Sequence, residues 1–341
     1  SKDKADARTT SLDRDDSYGL SLRGGYVVNN GSLLYLRVGR VRTRFDSYYT
    51  INEQATAARA QDDRQDGTRL GVGADLPAGE RLFLRMEYAY TDYDAYDVAY
   101  VNDDGRTAER FANEEGQFRL GVGWRFAAAA SPVPLQPAVQ GFYVGAHAGH
   151  GSLDSRLEGY HSESGAAPLS QAYNGDFSGM GGIYGFFAGY GRSFGRWYAG
   201  VEAEVDTGRT EWSHNRETSG EGGRDFSAEK KSDYGLALRL GYSLPNGTLL
   251  YGRVGPMRAR FNTTWAKGDN ADANIDRSYQ VNGMRYGIGA EIPLTQKAFA
   301  RLDYTRTDYD SYGFRTGHGN PDEMEFDNRE SLFRMGLGFR F

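Results

Sequence analysis

Five histidines, 46 acidic residues and no cysteine are the material for chemistry in this 341-residue sequence. His147 and His150 lie three apart in a stretch of alternating character, so their side chains point to opposite faces of a strand and cannot share a metal. Ser213 and His214, with Glu211 nearby, pair a nucleophile with a base in name only. Neighbours on an extended chain diverge, and no supporting motif accompanies them. The carboxylates of DNADANID (269–276) are spaced somewhat like a calcium loop but lack its glycine and its terminal glutamate. TSGEGGRD (218–225) is glycine-rich without lying between a strand and a helix, so it is no phosphate cradle. The runs YTDYDAY (90–96) and YTRTDYDSY (304–312) read as an aromatic girdle passing into a loop, with ligand binding by the tyrosines as the lesser alternative. No catalytic residue, metal site or cofactor is expected, and the chain is not expected to be an enzyme.

The charged residues fall instead into a period of two. In 333–341, Phe333, Met335, Leu337, Phe339 and Phe341 oppose Arg334, Gly336, Gly338 and Arg340. In 234–244, Leu236, Leu238 and Leu240 oppose Gly235, Ala237 and Arg239; near 200, Val201 and Val205 oppose Glu202, Glu204 and Asp206. Each such stretch has an apolar face and a face of glycine and charge. The second face is expected to line a barrel interior. Its candidate charges are Arg23, Arg37, Asp75, Arg85, Glu87 and Arg119 in the first part of the chain. In the second they are Glu202, Glu204, Asp206, Arg239, Arg253, Glu291, Arg301, Asp303, Arg334 and Arg340. In the second part five arginines match five carboxylates, which suits a self-neutralising plug as well as a charged constriction.

The elements that must position these residues follow from composition. A mean hydropathy of −0.66 leaves no room for a spanning helix, which needs about 20 apolar residues. The N-terminus has no apolar leader, so a signal peptide is expected to have been removed. Absence of cysteine excludes disulfide scaffolds and thiolate metal sites, and a net charge of −6 offers no basic excess for nucleic acid. Short turns such as NNG (29–31) and PNG (245–247) alternate with long polar segments at 46–66, 92–116, 152–180, 207–232, 262–282 and 306–329. Short turns on one side and long hydrophilic loops on the other are the pattern of an antiparallel transmembrane β-barrel. A soluble sandwich would also alternate, but it has little use for a glycine-rich polar face or for aromatics at strand ends.

The chain is a tandem duplication. Residues 17–45 align without a gap on 233–261, RLGVGADLP (69–77) falls on RYGIGAEIP (285–293), and FRLGVGWRF (118–126) on FRMGLGFRF (333–341). Eight strands are expected in a second repeat over 141–341 and five in a first repeat over 1–126, whose counterparts of 141–216 are missing; an Ala/Pro-rich linker occupies 127–140. Five strands alone would leave two edges in lipid. That favours a single fused barrel of about 14–16 strands over two eight-stranded barrels in tandem.

GFYVGAHAG (141–149), MRYGIGAEIPLTQKAFARLDYTRTDY (284–309) and the terminal LGFRF (337–341) resemble the Omp25/opacity-type outer-membrane β-barrel proteins of Gram-negative bacteria, built on an OmpA-type eight-stranded module. The resemblance implies an integral outer-membrane location and insertion by the barrel-assembly machinery. Phe339 and Phe341 would form the C-terminal assembly signal. It implies outer-membrane lipid and lipopolysaccharide as partners, with self-association left open. The duplication departs from the family and puts a narrow, plugged eight-stranded barrel in doubt. The function expected is porin-like passive diffusion of small hydrophilic solutes or ions. The alternative is a non-conducting barrel that organises the membrane or displays its loops for adhesion or self-assembly.

Overall fold

The computed structural model describes residues 8–51, 59–102, 105–126, 139–161, 170–216, 224–267, 270–315 and 323–341; positions 127–138 of the expected linker lie outside these. The described residues form strands β1 (Arg8–Val27), β2 (Leu33–Ile51), β3 (Arg59–Pro77), β4 (Leu82–Tyr93), β5 (Tyr96–Asn102), β6 (Gly105–Phe111) and β7 (Glu114–Trp124) in the first repeat. The second repeat holds β8 (Gly141–His161), β9 (Ser170–Phe194), β10 (Trp197–Arg216), β11 (Arg224–Ser243), β12 (Leu249–Lys267), β13 (Asn270–Pro293), β14 (Ala298–Tyr309), β15 (Tyr312–Arg315) and β16 (Glu323–Arg340). β1, β2 and β4 have the bounds of β11, β12 and β14 shifted by the repeat, so the duplication is one of structure as well as sequence.

The chain divides into two compact units. In the first repeat β1, β2, β3, β4 and β7 make a five-stranded sheet in that order, and β5 with β6 forms a separate hairpin where a loop was expected. In the second repeat β8 to β14 and β16 close into a ring of eight antiparallel strands. β14 pairs with β16, and β16 returns to β8 through Arg340↔Tyr143 to Glu323↔Tyr160. The fused barrel of 14–16 strands is therefore not what forms: the second repeat closes its ring by itself, β14 on β16 and β16 on β8, as hydrocarbon surroundings demand. The narrow eight-stranded barrel placed in doubt by the duplication is the one that closes.

The short turns form as their sequences dictate. Gly31 and Gly247 occupy the same position in NNG and PNG, with φ of 81° and 82°, a backbone region open to glycine at little cost. Each donates its N–H three residues back, to Val28 at 2.8 Å and Leu244 at 2.9 Å.

The long polar segments differ from expectation. Much of 152–180, 207–232 and 262–282 continues the ladder, giving strands of 19 to 25 residues from β8 to β13. At about 3.3 Å per residue and a tilt near 40°, a 20-residue strand climbs roughly 50 Å, twice the ~25 Å apolar band of such barrels. The band is visible: Phe142, Phe186, Val201, Leu236, Leu238 and Leu337 are exposed on the outside. Trp197 against Tyr242, with ring centroids 5.3 Å apart, marks its short-turn end. Beyond the band the alternation keeps its period but exchanges its chemistry. Trp212, Phe226, Phe261, Trp265 and Phe326 now point inward and pack with Leu153 and Leu157 into an apolar core, while Arg258, Arg260 and Arg329 face out. A mean over the polar outer face hides this core from hydropathy.

One seam interrupts the extension. Asp310 donates to the Asn282 carbonyl at 2.8 Å, and past that point β13 has no ladder partner on its β14 side among the described residues, because β15 pairs only with β16. The rings of Tyr279 and Tyr312, 4.7 Å apart, bridge it instead.

Candidate functional site

Among the described residues, side chains fill the interior of the second barrel in successive layers. At the short-turn mouth Val139 packs with Tyr198, Leu249 and Tyr251, and a cavity lined by Val139, Glu291 and Arg340 among others measures about 10 Å³. That is no more than one water requires. Arg340 meets Glu291 at 2.5 Å just above it.

The next layer gathers side chains from all eight strands. Glu202 accepts from Arg239 at 3.1 Å, Arg253 at 3.3 Å and Arg301 at 2.5 Å, and from the Tyr143 hydroxyl at 2.9 Å. Glu291 takes Arg239 at 2.6 Å and Arg301 at 3.4 Å, while Asp303 takes Arg253 at 3.2 Å and Arg334 at 3.3 Å. Aromatic faces hold the guanidinium groups flat: Arg239 lies 3.8 Å from the Tyr251 ring centre and Arg301 4.0 Å from that of Phe187. Above them Glu204 binds Arg253 at 2.7 Å, Arg285 at 2.9 Å and Arg334 at 3.0 Å. Asp206 binds Arg285 at 3.0 Å, Arg334 at 3.2 Å and His147 at 2.5 Å. The last charged layer is Lys230 with Asp233 and Glu330, joined by Arg285. These charges are out of water, and ionised groups survive there only when paired and hydrogen-bonded.

Glycines make the space. A Cβ at Gly185 would collide with the Asp206 carboxylate, and one at Gly289 with the Tyr251 hydroxyl and Asp303, so the ion network occupies room that any larger residue would take.

Over the charged layers sits a polar collar, with Trp212 Nε1 donating to Ser155 Oγ at 2.6 Å and Ser155 touching Asn328. The aromatic core then seals the extension. Tyr312 in that core bonds Thr263 at 2.9 Å, and burial pushes its phenol up to about 12.

All ten candidate charges of the second repeat thus join one network. The six of the first repeat form another on the charged face of their own sheet. Asp75 binds Arg85 at 2.7 Å and Arg23 at 3.3 Å; Glu87 binds Arg37 at 2.7 Å, Arg119 at 3.6 Å and the Tyr35 hydroxyl at 2.9 Å. Phe339 and Phe341 lie on the outside of the second barrel, ring centroids 5.4 Å apart. Ser213 is exposed and neighbours the buried Trp212, while His214 contacts Phe177 at 5.1 Å; the two are not arranged as nucleophile and base. The calcium-loop segment falls largely on residues whose side chains are not described.

His147, Arg285, Glu330, Lys230 and Asp233 were absent from the candidate lumen charges, as were Arg69 and Glu115. Arg285 and Glu330 share the parity of Glu291 and Arg334, so alternation carried the signal for both. Lys230 and Asp233 were hidden for a physical reason. Three apart, they belong on opposite faces of a regular strand, but a bulge between Lys230 and Ser232 turns both inward.

The model of the outer membrane protein beta-barrel domain matches residues 1–126 and again 127–341. The chain belongs to this family. It is accordingly an integral protein of the bacterial outer membrane, all-β and antiparallel, with a closed eight-stranded barrel in the second repeat and a five-stranded sheet in the first. Solved barrels resemble it at low identity. Ail, the attachment invasion locus protein of Yersinia pestis, is 15% identical, covering 60% of this chain and 100% of its own, with a TM-score of 0.28. Neisserial surface protein A is 15% identical over 59% of this chain and 97% of its own, at 0.28. OprG from Pseudomonas aeruginosa is 14% identical over 60% and 98%, at 0.36. Scores this low carry no functional weight. No curated protein matches the sequence.

Proposed function

We propose that the second repeat is a non-conducting surface barrel, without enzymatic activity, whose rigid extension holds the extracellular rim clear of the membrane for contact or self-assembly. The observation that carries this reading is the double closure of the lumen. A continuous layer of paired Arg, Glu and Asp side chains fills the membrane level, and a core of Trp, Phe and Tyr fills the level above. Eight-stranded barrels have interiors just wide enough for their side chains. Passive diffusion would require breaking buried ion pairs in three successive layers, each break leaving uncompensated charge.

Planar-bilayer recording of the purified, folded chain tests the proposal. The expected trace has no unitary steps above the bare bilayer. Regular steps whose size changes in Glu202→Gln would restore the passive-diffusion reading.

A further inference from the structure

Both repeats carry the same pair of outward arginines, and one repeat neutralises it while the other does not. Arg42 and Arg44 of β2 stand at the positions of Arg258 and Arg260 of β12. In the first repeat Arg42 meets Asp66 at 3.4 Å, and Arg44 meets Asp46 at 3.4 Å and Asp15 at 3.8 Å. The second repeat replaces each of these carboxylates: Asp66 by Asn282, Asp46 by Asn262 and Asp15 by Lys231. The register is kept, since Asn282 lies opposite Arg258 in the β12–β13 ladder as Asp66 lies opposite Arg42 in that of β2 and β3. Tyr234 and Ser232 face Arg258 and Arg260 across the other seam. Among the described residues neither guanidinium forms an ion pair, and Arg260 donates to the Ser278 hydroxyl at 3.4 Å.

This is unusual within the second barrel. Arg156, Arg209, Lys231, Arg306, Arg315 and Arg329, other outward cations above the apolar band, each have a carboxylate at 2.7–3.9 Å. Exposed ion pairs add little to stability, so removing the three carboxylates costs the fold little and leaves two cations open to an outside anion.

Height selects the anion. The outward positions of β12 run Leu250, Gly252, Val254 and Pro256 before Arg258 and Arg260. At about 3.3 Å per residue and a tilt near 40°, Arg258 stands roughly 20 Å above Leu250. Leu250 is the ladder partner of Tyr242, which marks the short-turn end of the band. Arg258 therefore meets the opposite rim, where lipid headgroups begin. Val254, Met284 and the Tyr234 ring, all exposed, offer apolar surface directly below it. A guanidinium fork matches two phosphate oxygens, and two forks on one strand face are ~7 Å apart.

We propose that Arg258 and Arg260 form a seat for the phosphorylated headgroup of an outer-leaflet lipid, whose acyl chains lie on the apolar surface beneath. The Gln280 and Asn282 amides across the ladder are neutral donors at its edge. The first repeat offers no such seat at Arg42 and Arg44, because its own carboxylates occupy them. An acidic protein segment would find the arginines too but would gain nothing from the apolar surface below them. The inference stands whether or not the second barrel conducts.

The full chain folded in octyl glucoside, a detergent without phosphate, is titrated with bisphosphorylated lipid A, and bound lipid is counted by native mass spectrometry. Heat-modifiable gel migration verifies folding of each variant. Arg258→Gln with Arg260→Gln should weaken binding at least tenfold. Asn262→Asp with Asn282→Asp, which keeps both arginines and restores the pairing of the first repeat, should do the same. Arg42→Gln with Arg44→Gln should leave binding unchanged. Dephosphorylated lipid A should bind at least tenfold more weakly, and inorganic phosphate in excess should not displace the intact lipid. Undiminished binding by either second-repeat variant, or an equal loss in the first-repeat variant, overturns the proposal. Displacement by inorganic phosphate, or full binding of the dephosphorylated lipid, overturns the assignment to a lipid phosphate.

Discussion

Glu204 shows what a single side chain does inside this barrel. It touches three arginines from three strands at 2.7–3.0 Å and is fully buried with them, so its charge is as necessary as theirs. Glu204→Gln should lower stability by about 3–5 kcal/mol, the cost of leaving a buried ionic partner uncompensated. Urea unfolding from thin vesicles, followed by tryptophan fluorescence, measures it; Glu229→Gln, from a partly exposed cluster with Arg209 and Lys231, should cost no more than about 1 kcal/mol. Equal losses would argue against a tightly filled lumen. Tyr312 gives a different signature. Its phenol ordinarily titrates at 10.0 and is raised to about 12 when folded, so its contribution is fully present below the ordinary value and is lost as pH rises through about 12. Unfolding midpoints taken across that window should fall more steeply for the native chain than for Tyr312→Phe. At this scale the sequence was informative wherever parity held: Glu202, Arg239, Arg253, Arg301 and Asp303 were legible from alternation alone. Lys230 and Asp233 were not, because a bulge is a property of two paired strands and leaves no mark on either one.

Among the elements, β13 combines a fully paired lower half with a one-sided upper half. Residues 284–292 sit beside β14, whereas 275–281 pair with β12 on one side and, among the described residues, have no ladder partner on the other. Local opening follows unprotected backbone. Amides of 275–281 directed toward β15 should exchange at least tenfold faster than those of 284–292, read by hydrogen-exchange mass spectrometry; equal protection would mean the seam is bridged by backbone after all. The strands were easy to place where one face met lipid, since the pattern there is apolar against glycine and charge. Their upper halves were read as loops because Trp212, Phe226 and Trp265 are sparse among Ser, Thr, Glu and Arg. Such a stretch is polar on average yet amphipathic in alternation, with the apolar face turned inward.

For the whole molecule, the duplication was the clearest message of the sequence, and the strand bounds bear it out almost residue for residue. The number of strands per ring was less legible. Parity and edge arguments allow any even closure, and only the geometry of β16 against β8 chose eight. That choice bears on the proposed lack of conduction, because a ring of eight has no radius to spare once Arg239, Arg253, Arg285, Arg301 and Arg334 are inside it. The aromatic core above the bilayer is built from different chemistry, so on the proposed non-conducting reading loss of ionisation at one level would not open the other.

The closing pair also says something about assembly. Seven of the eight seams join β8 to β9, β9 to β10 and so on to β14 with β16, strands that follow one another closely in the chain. Each can zip from its own turn with little loop entropy to overcome. The eighth, Tyr143 opposite Arg340, must bring together the two ends of the repeat. Folding of this barrel therefore concentrates its long-range contact order in one late step, and its rate should be governed by how soon β16 finds β8.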